Sequence, residues 1–139
     1  MFLIRPITLN DLDAIEQFAY ATTLGMISLP RNRTLLKEKI ERSVESFKTE
    51  VSTAKEEIYL FALEEASTHK TVGCCGIYAK TSANYFFRVE TLHPYSSTLP
   101  LPSDLRVLHP LLLKNGPSEV CSLYLMPEYR KGGIGELLS

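Results

Sequence analysis

Hydrophobic and polar positions recur with different periods along the chain, and those periods divide it into elements. Phe2 to Ile7 is a short apolar run that predicts a first strand. Asn10 is a candidate N-cap with Asp13 at N3, and Leu12, Ile15, Phe18 and Ala19 then share one face, which predicts a helix from about Asn10 to about Ala21. Residues 22–30 read as a loop ending at Pro30, since proline discourages helix in the residue before it. From about Arg33 a second helix is predicted, with Leu36, Ile40, Val44 and Phe47 at helical spacing and Lys37, Glu38, Glu41, Arg42 and Glu45 on the solvated side.

At Ile58 the texture changes to strands. Ile58 to Leu63 is continuously apolar, residues 64–70 are polar, and Thr71 to Tyr78 is apolar again, so an antiparallel pair is expected. Tyr85 to Leu92, rich in aromatic and β-branched residues, predicts a third strand. Residues 93–104 carry Pro94, Pro100 and Pro102 and read as a long surface loop. Arg106 to Leu113 reads as a strand interrupted by Pro110, and Asn115-Gly116-Pro117 as a turn. Val120, Ser122 and Tyr124 alternate with Cys121, Leu123 and Leu125, the period of a strand with two different faces. Met126-Pro127 breaks that strand, and a glycine-rich turn leads into the helix formers Glu136, Leu137 and Leu138.

Composition narrows the class. With 139 residues, 45% hydrophobic and 22% charged, the chain reads as one globular domain, 1–139, with material for a core. A formal net charge of −1 gives no reason to expect nucleic acid or an anionic membrane as partner. Met1-Phe2-Leu3-Ile4 meets Arg5 and Pro6 at once, too short for a leader, and no run approaches a membrane span, so a cytoplasmic location is expected. Cys74, Cys75 and Cys121 form no Cys-x-x-Cys or Cys/His group and read as small core residues, with Cys74 and Cys75 on opposite strand faces and no metal site implied.

The chemistry concentrates after the last strand. Glycines 132, 133 and 135 let backbone approach a ligand, and the first amides of a following helix lack partners of their own, so Lys131, Gly132, Gly133, Ile134 and Gly135 form a candidate anion cradle with Arg130 beside it. A Walker loop would need a lysine after Gly135. A dinucleotide fingerprint would need a glycine where Leu138 stands. What remains is Arg-x-x-Gly-x-Gly, Arg130 to Gly135, directly after an apolar strand; a plain glycine turn between strand and helix is the alternative. The pattern resembles the pyrophosphate loop of the GCN5-related N-acetyltransferase superfamily, which binds acyl-coenzyme A.

A closer resemblance runs through the whole chain in order. Ile4-Arg5-Pro6, Ser28-Leu29-Pro30-x-Asn32 leading to Leu36, Ile40 and Ser43, Tyr85-x2-Arg88-Val89-x-Thr91-Leu92, and Ser118-Glu119-x-Cys121-x-Leu123-x-Leu125-x-Pro127-x-Tyr129-Arg130 are similar to the arginine N-succinyltransferase family. The resemblance implies the α/β (α+β) acyl-CoA acyltransferase fold in its N-terminal half, a mixed, mostly antiparallel sheet with two N-terminal helices. It implies succinyl-CoA as donor, the α-amino group of L-arginine as acceptor, and a role in arginine catabolism. The backbone of 131–135 would hold the coenzyme diphosphate, and main-chain groups of Leu123 and Leu125 would pair with the pantetheine arm; core packing is the other role of those leucines. Asn32 and Arg88 fall in matching segments as acceptor or donor contacts, with a helix cap or an ion pair as the alternative.

The histidine that the family proposes as proton donor lies beyond this chain, and none of His69, His93 or His109 matches it, so no catalytic residue is assigned. Tyr85 and Tyr124 offer phenolic protons, but buried aromatic packing is the commoner fate of such residues. Because the chain stops about one turn past the glycine loop, an open edge is expected at the Cys121 strand, covered by a second copy or a complementing polypeptide. Two readings stand: the coenzyme-binding half of a succinyltransferase, or a non-catalytic remnant or interaction domain of the same family.

Overall fold

The computed structural model describes residues 1–22, 26–81, 86–111 and 116–138. In chain order its elements are β1 (Phe2–Pro6), a 3-10 turn (Leu9–Asp11), α1 (Leu12–Ala21), α2 (Arg33–Lys48), β2 (Ile58–Glu65), β3 (Lys70–Tyr78), β4 (Phe86–Leu92), β5 (Leu105–Leu111) and β6 (Glu119–Leu125), then 3-10 turns over Pro127–Tyr129 and Ile134–Leu137. They fall into two compact units, Met1–Lys80 with Pro117–Ser139, and Thr81–Gly116. This is the mixed α+β arrangement expected, with the first unit's sheet antiparallel throughout in the order β1-β2-β3-β6.

In the first unit, two apolar clusters flank the sheet. The larger joins Ile15 and Phe18 of α1 and Leu36 and Ile40 of α2 to Leu60, Cys74 and Tyr124 of the strands. Phe18 stacks on Tyr124 with ring centroids 4.7 Å apart. Fully burying side chains of this size stabilises by roughly 1.5–3 kcal/mol each. The smaller cluster gathers Leu63, Val72, Leu125 and Leu138, with Phe2, Cys75, Tyr129 and Ile134 at its margin, so the residues after β6 cover apolar surface there. Cys74 and Cys75 thus belong to different clusters, and all three cysteines are free thiols.

Helix α2 does more than bury an apolar stripe. Its first turn is capped by Asn32, whose side chain accepts from the Leu35 amide at 3.1 Å. Strand β1 ends opposite Phe61, and beyond that point Ser43 Oγ accepts from the Leu60 amide at 2.8 Å and Ser46 Oγ from the Ile58 amide at 3.3 Å. Serines of the helix therefore take over donors that the finished strand no longer pairs.

Several sequence expectations are corrected. Asn10 is not the N-cap of a helix beginning there: a 3-10 turn precedes α1, and Asp11 closes it by accepting from the Thr8 amide at 2.8 Å and the Thr8 hydroxyl at 3.0 Å. Pro110 does not interrupt β5, because it sits within continuous pairing opposite Phe87 in a two-stranded ribbon where each strand keeps one open edge. The two-faced alternation of β6 fails at its centre. Ser122 has φ of +54°, the register slips between Cys74 and Gly76, and Cys121 and Ser122 are both buried, as are Tyr124 and Leu125. The glycine loop opens a 3-10 turn, not an α-helix. Tyr85 and Asn115 lie outside the described residues.

The second unit is the β4–β5 ribbon. His93 and Asp104, 2.9 Å apart, bridge the base of the proline-rich loop, and His109 bonds Glu90 at 2.8 Å across the ribbon. Phe87, Val89 and Leu108 are 50, 57 and 58% exposed.

A partly buried ionic network fixes the start of the first unit. Arg5 grips Asp11 with two parallel bonds of 2.9 and 2.8 Å and reaches Glu64 with Nε at 2.6 Å. Thr71 Oγ1 donates to Asp11 at 2.7 Å, and His69 Nδ1 lies 2.7 Å from Glu64. Burial pushes the Asp11 carboxyl up, but bonds from Arg5, Thr71 and Thr8 outweigh it and bring it from 3.8 down to about 2. Glu64 is held low first by Arg5 and then by His69. Because the folded value is the depressed one, the Asp11 contribution is complete above pH 3.8 and is lost as pH falls through about 2. Asp11→Asn should therefore destabilise the chain by about 3 kcal/mol at neutral pH, since it strands a partly buried guanidinium. Urea unfolding should show the gap between variant and wild type closing over that acidic window.

Candidate functional site

The cleft of the first unit opens where β6 ends. Its volume is about 820 Å³, and its walls are Gln17, Ala21 and Thr22 from the end of α1, Met26, residues 123–127, and Arg130. Three residues singled out from sequence, Leu123, Leu125 and Arg130, meet in this wall. Leu123 is 45% exposed and Leu125 is 8% exposed, so the first offers side chain and backbone to the cleft while the second also packs the smaller cluster. Among the described residues β6 is the outermost strand of its sheet.

Strand β6 gives way to the loop through a defined set of bonds. The Met126 amide donates to Val72 O at 2.9 Å, the last rung against β3. Pro127 then starts the 3-10 turn, whose closing bond runs from the Arg130 amide to Pro127 O at 3.2 Å. Arg130 folds back, donating from Nε to Leu125 O at 2.8 Å with its guanidinium carbon 5.6 Å from the Tyr124 ring centroid. The cation is thereby fixed at the cleft edge.

After it comes the glycine loop. Gly132 and Gly133 take φ of +66° and +78°. The Glu136 amide bonds Gly133 O at 3.0 Å and the Leu138 amide bonds Gly135 O at 3.1 Å. The amides of Lys131, Gly132, Gly133 and Gly135 donate to no protein acceptor among the described residues, and all four residues are exposed. A Cβ on Gly135 would meet nothing within 4 Å. Ile134 instead turns against the smaller apolar cluster and anchors the loop. Unpartnered amides beside a cation make an acceptor-seeking surface.

The remaining candidates lie elsewhere. Asn32 caps α2. Arg88 stands on β4 opposite His109, in the second unit. Of the histidines, His69 occupies the β2–β3 turn and does not line the cleft, while His93 and His109 belong to the second unit. Tyr124 lies under Arg130 and against Phe18. Burial pushes the Cys74 thiol up to about 12, which suits a packed side chain and not a nucleophile. Among the described residues no cluster of metal ligands occurs, and no helix is long and apolar enough to cross a membrane.

Sequence reasoning missed a polar group behind the cleft wall. Ser122 donates its amide to Ser28 Oγ at 3.0 Å and its hydroxyl to Ser28 O at 3.2 Å. Lys39 Nζ donates to Ser122 Oγ at 2.9 Å and also to Ser28 O. Burial lowers the pKa of that lysine. One signal was available: Lys39 lies three residues after Leu36 and four before Ser43, on the buried stripe of α2. The positive φ of Ser122 had none.

Gly133 and Gly135 differ in backbone conformation. Gly133→Ala should cost about 1 kcal/mol because of its left-handed φ, whereas Gly135→Ala should leave the thermal midpoint unchanged.

Comparison with known proteins follows the same stretch of chain. The family described as "Arginine N-succinyltransferase beta subunit" matches residues 2–139. Proteins named arginine N-succinyltransferase from Escherichia coli strain UMN026 and strain K12 / DH10B are each 37% identical over 142 aligned positions, covering 100% of this chain and 41% of theirs. The solved structure titled arginine/ornithine succinyltransferase subunit AI, from Pseudomonas aeruginosa, superposes with a TM-score of 0.81 at 33% identity, covering 100% of this chain and 43% of that one. The chain thus spans about two-fifths of the length of these relatives.

Proposed function

Since this chain belongs to the arginine N-succinyltransferase beta-subunit family, with a match over residues 2–139, we propose that it supplies the coenzyme-binding part of an enzyme that moves a succinyl group from succinyl-CoA to the α-amino group of L-arginine. The observation that carries this reading is an 820 Å³ cleft lined by Leu123 and Arg130, followed directly in the chain by exposed amides of residues 131–133 and 135 that have no protein acceptor among the described residues. A coenzyme needs both, a slot for an extended arm and donors for a diphosphate.

In the reaction, the amine nitrogen bonds to the thioester carbonyl carbon, the oxygen gains negative charge, and the carbon–sulfur bond then breaks. The amine gives up a proton and coenzyme A leaves as its thiol. The residues of this chain act on the donor side. Backbone groups of Leu123 and Leu125 pair with the pantetheine arm like an added strand, and an amide of β6 stabilises the developing oxyanion. Lys131, Gly132, Gly133, Ile134 and Gly135 receive the diphosphate, and the terminal nitrogens of Arg130 add charge beside it. The amine's proton acceptor and most of the arginine pocket are assigned to polypeptide outside this chain. We place the reaction in the cytoplasm.

A second reading, an interaction domain of the same family without turnover, is favoured by one feature. The cross-strand neighbours Val89 and Leu108, with Phe87 beside them, expose apolar surface that an isolated two-stranded ribbon does not protect. In either reading, a second copy or a complementing polypeptide covers the open edge of β6.

Calorimetric titration with coenzyme A tests the first reading, and Gly135→Ala sharpens it. The variant adds a methyl group at a site that is otherwise open, so it should keep the wild-type melting temperature and lose about tenfold or more in coenzyme affinity. Wild-type affinity in the variant, or no binding by the wild type, would reject the coenzyme cleft and leave the interaction reading.

A further inference from the structure

Lys39 is a cation without a carboxylate. It projects from α2 beneath β6, and among the described residues it forms no ion pair; its ammonium is held by Ser122 Oγ at 2.9 Å, by Ser28 O, and over the Tyr78 ring at 5.2 Å. Placing a partly buried ammonium among neutral groups is unfavourable, and a well-packed apolar residue of similar length would serve stability at least as well. What the lysine provides that an apolar residue does not is a clamp on two chain segments. Ser28 belongs to the segment between the helices and Ser122 to β6, and the ammonium bonds both.

The clamp acts on the most irregular point of the strand. At Ser122 the backbone takes φ of +54° and its amide turns to Ser28 Oγ at 3.0 Å. Two residues of β6, Ser122 and Leu123, stand where β3 offers only Cys75, between the pairs Gly76↔Cys121 and Cys74↔Tyr124. Such a bulge re-aims the residue beside it. That residue is Leu123, in the cleft wall.

We propose that Lys39 is a positioning residue for the acyl donor: by tying the Ser122 bulge to Ser28 it aims the backbone of Leu123 at the thioester end of the coenzyme. This rests on the reading of the cleft as an acyl-CoA site and deepens it. The residue touches no reacting atom. Its effect falls on the acyl end of the ligand, leaving the diphosphate end at the glycine loop untouched.

That division makes the test. Succinyl-CoA and coenzyme A are titrated calorimetrically into wild type, Lys39→Met and Lys39→Arg, and the Leu123 amide resonance is followed by 15N NMR. Lys39→Met should hold coenzyme A within about twofold of wild type, lose succinyl-CoA about tenfold, and abolish the Leu123 shift that the acyl group induces; Lys39→Arg, which keeps a cation, should restore most of both. Should Lys39→Met not fold, Ser122→Gly carries the test, because glycine accepts the positive φ while removing the hydroxyl that the ammonium holds. The same selective loss is expected there. Equal weakening of both ligands, or no weakening, in the folded variant overturns the proposal with the cleft intact. A wild type that binds neither ligand overturns the cleft reading itself and the proposal with it.

Discussion

The antiparallel seating of β6 on β3 is the constraint from which the rest of the site follows. The two strands are far apart in sequence, Lys70–Tyr78 and Glu119–Leu125, so pairing them closes a long loop at a cost in chain entropy that only tertiary contacts offset. Close approach is part of the answer. A Cβ on Gly76 would stand 2.6 Å from Leu60 Cδ2 and 3.1 Å from Cys121 Sγ, so glycine lets those side chains of the neighbouring strands pack without shifting. Once β6 is seated, its end delivers Met126 to Val72, and the turn that follows is committed to the margin of the cleft.

Polar anchoring of this sheet is distributed, and each anchor replaces a partner that regular pairing lacks. Asp11 fills its acceptor sites with Arg5, Thr71 and the Thr8 amide, joining β1, the 3-10 turn and β3. Ser43 and Ser46 receive amides of β2 after β1 has ended. Ser28 receives the amide and hydroxyl of Ser122, and Lys39 donates to that hydroxyl oxygen, where β6 departs from its register. The apolar clusters give the unit its stability, and these polar contacts specify which register is adopted, because an unmade bond to a buried group is costly.

Most of the architecture could be read from periodicity. Helix α2 and strands β2 and β3 agree with their expected bounds to within two residues, because their apolar runs are long. The glycine loop was legible as an exposed turn, since positive φ at Gly132 and Gly133 is what glycine supplies most readily. The errors have a common origin in tertiary partners. Asp11, not Asn10, organises the first helical turn because Arg5 and Thr71 wait for a carboxylate there, and Thr71 is far away in sequence. The bulge at Ser122 is invisible locally because serine has no preference for that φ; it is held by Ser28 and Lys39, more than eighty residues upstream. Pro110 reads locally as a break, whereas the open edge of a two-stranded ribbon tolerates it.

The pinch at the root of the ribbon has an evolutionary corollary. Tyr78 pairs with Glu119, and Thr81 meets Gly116 so closely that a Cβ on that glycine would stand 2.4 Å from the threonine hydroxyl. The polypeptide leaves the sheet at Tyr78 and rejoins it at Glu119, two residues that are paired. Residues can be added or removed between those two points without altering a rung of the parent sheet.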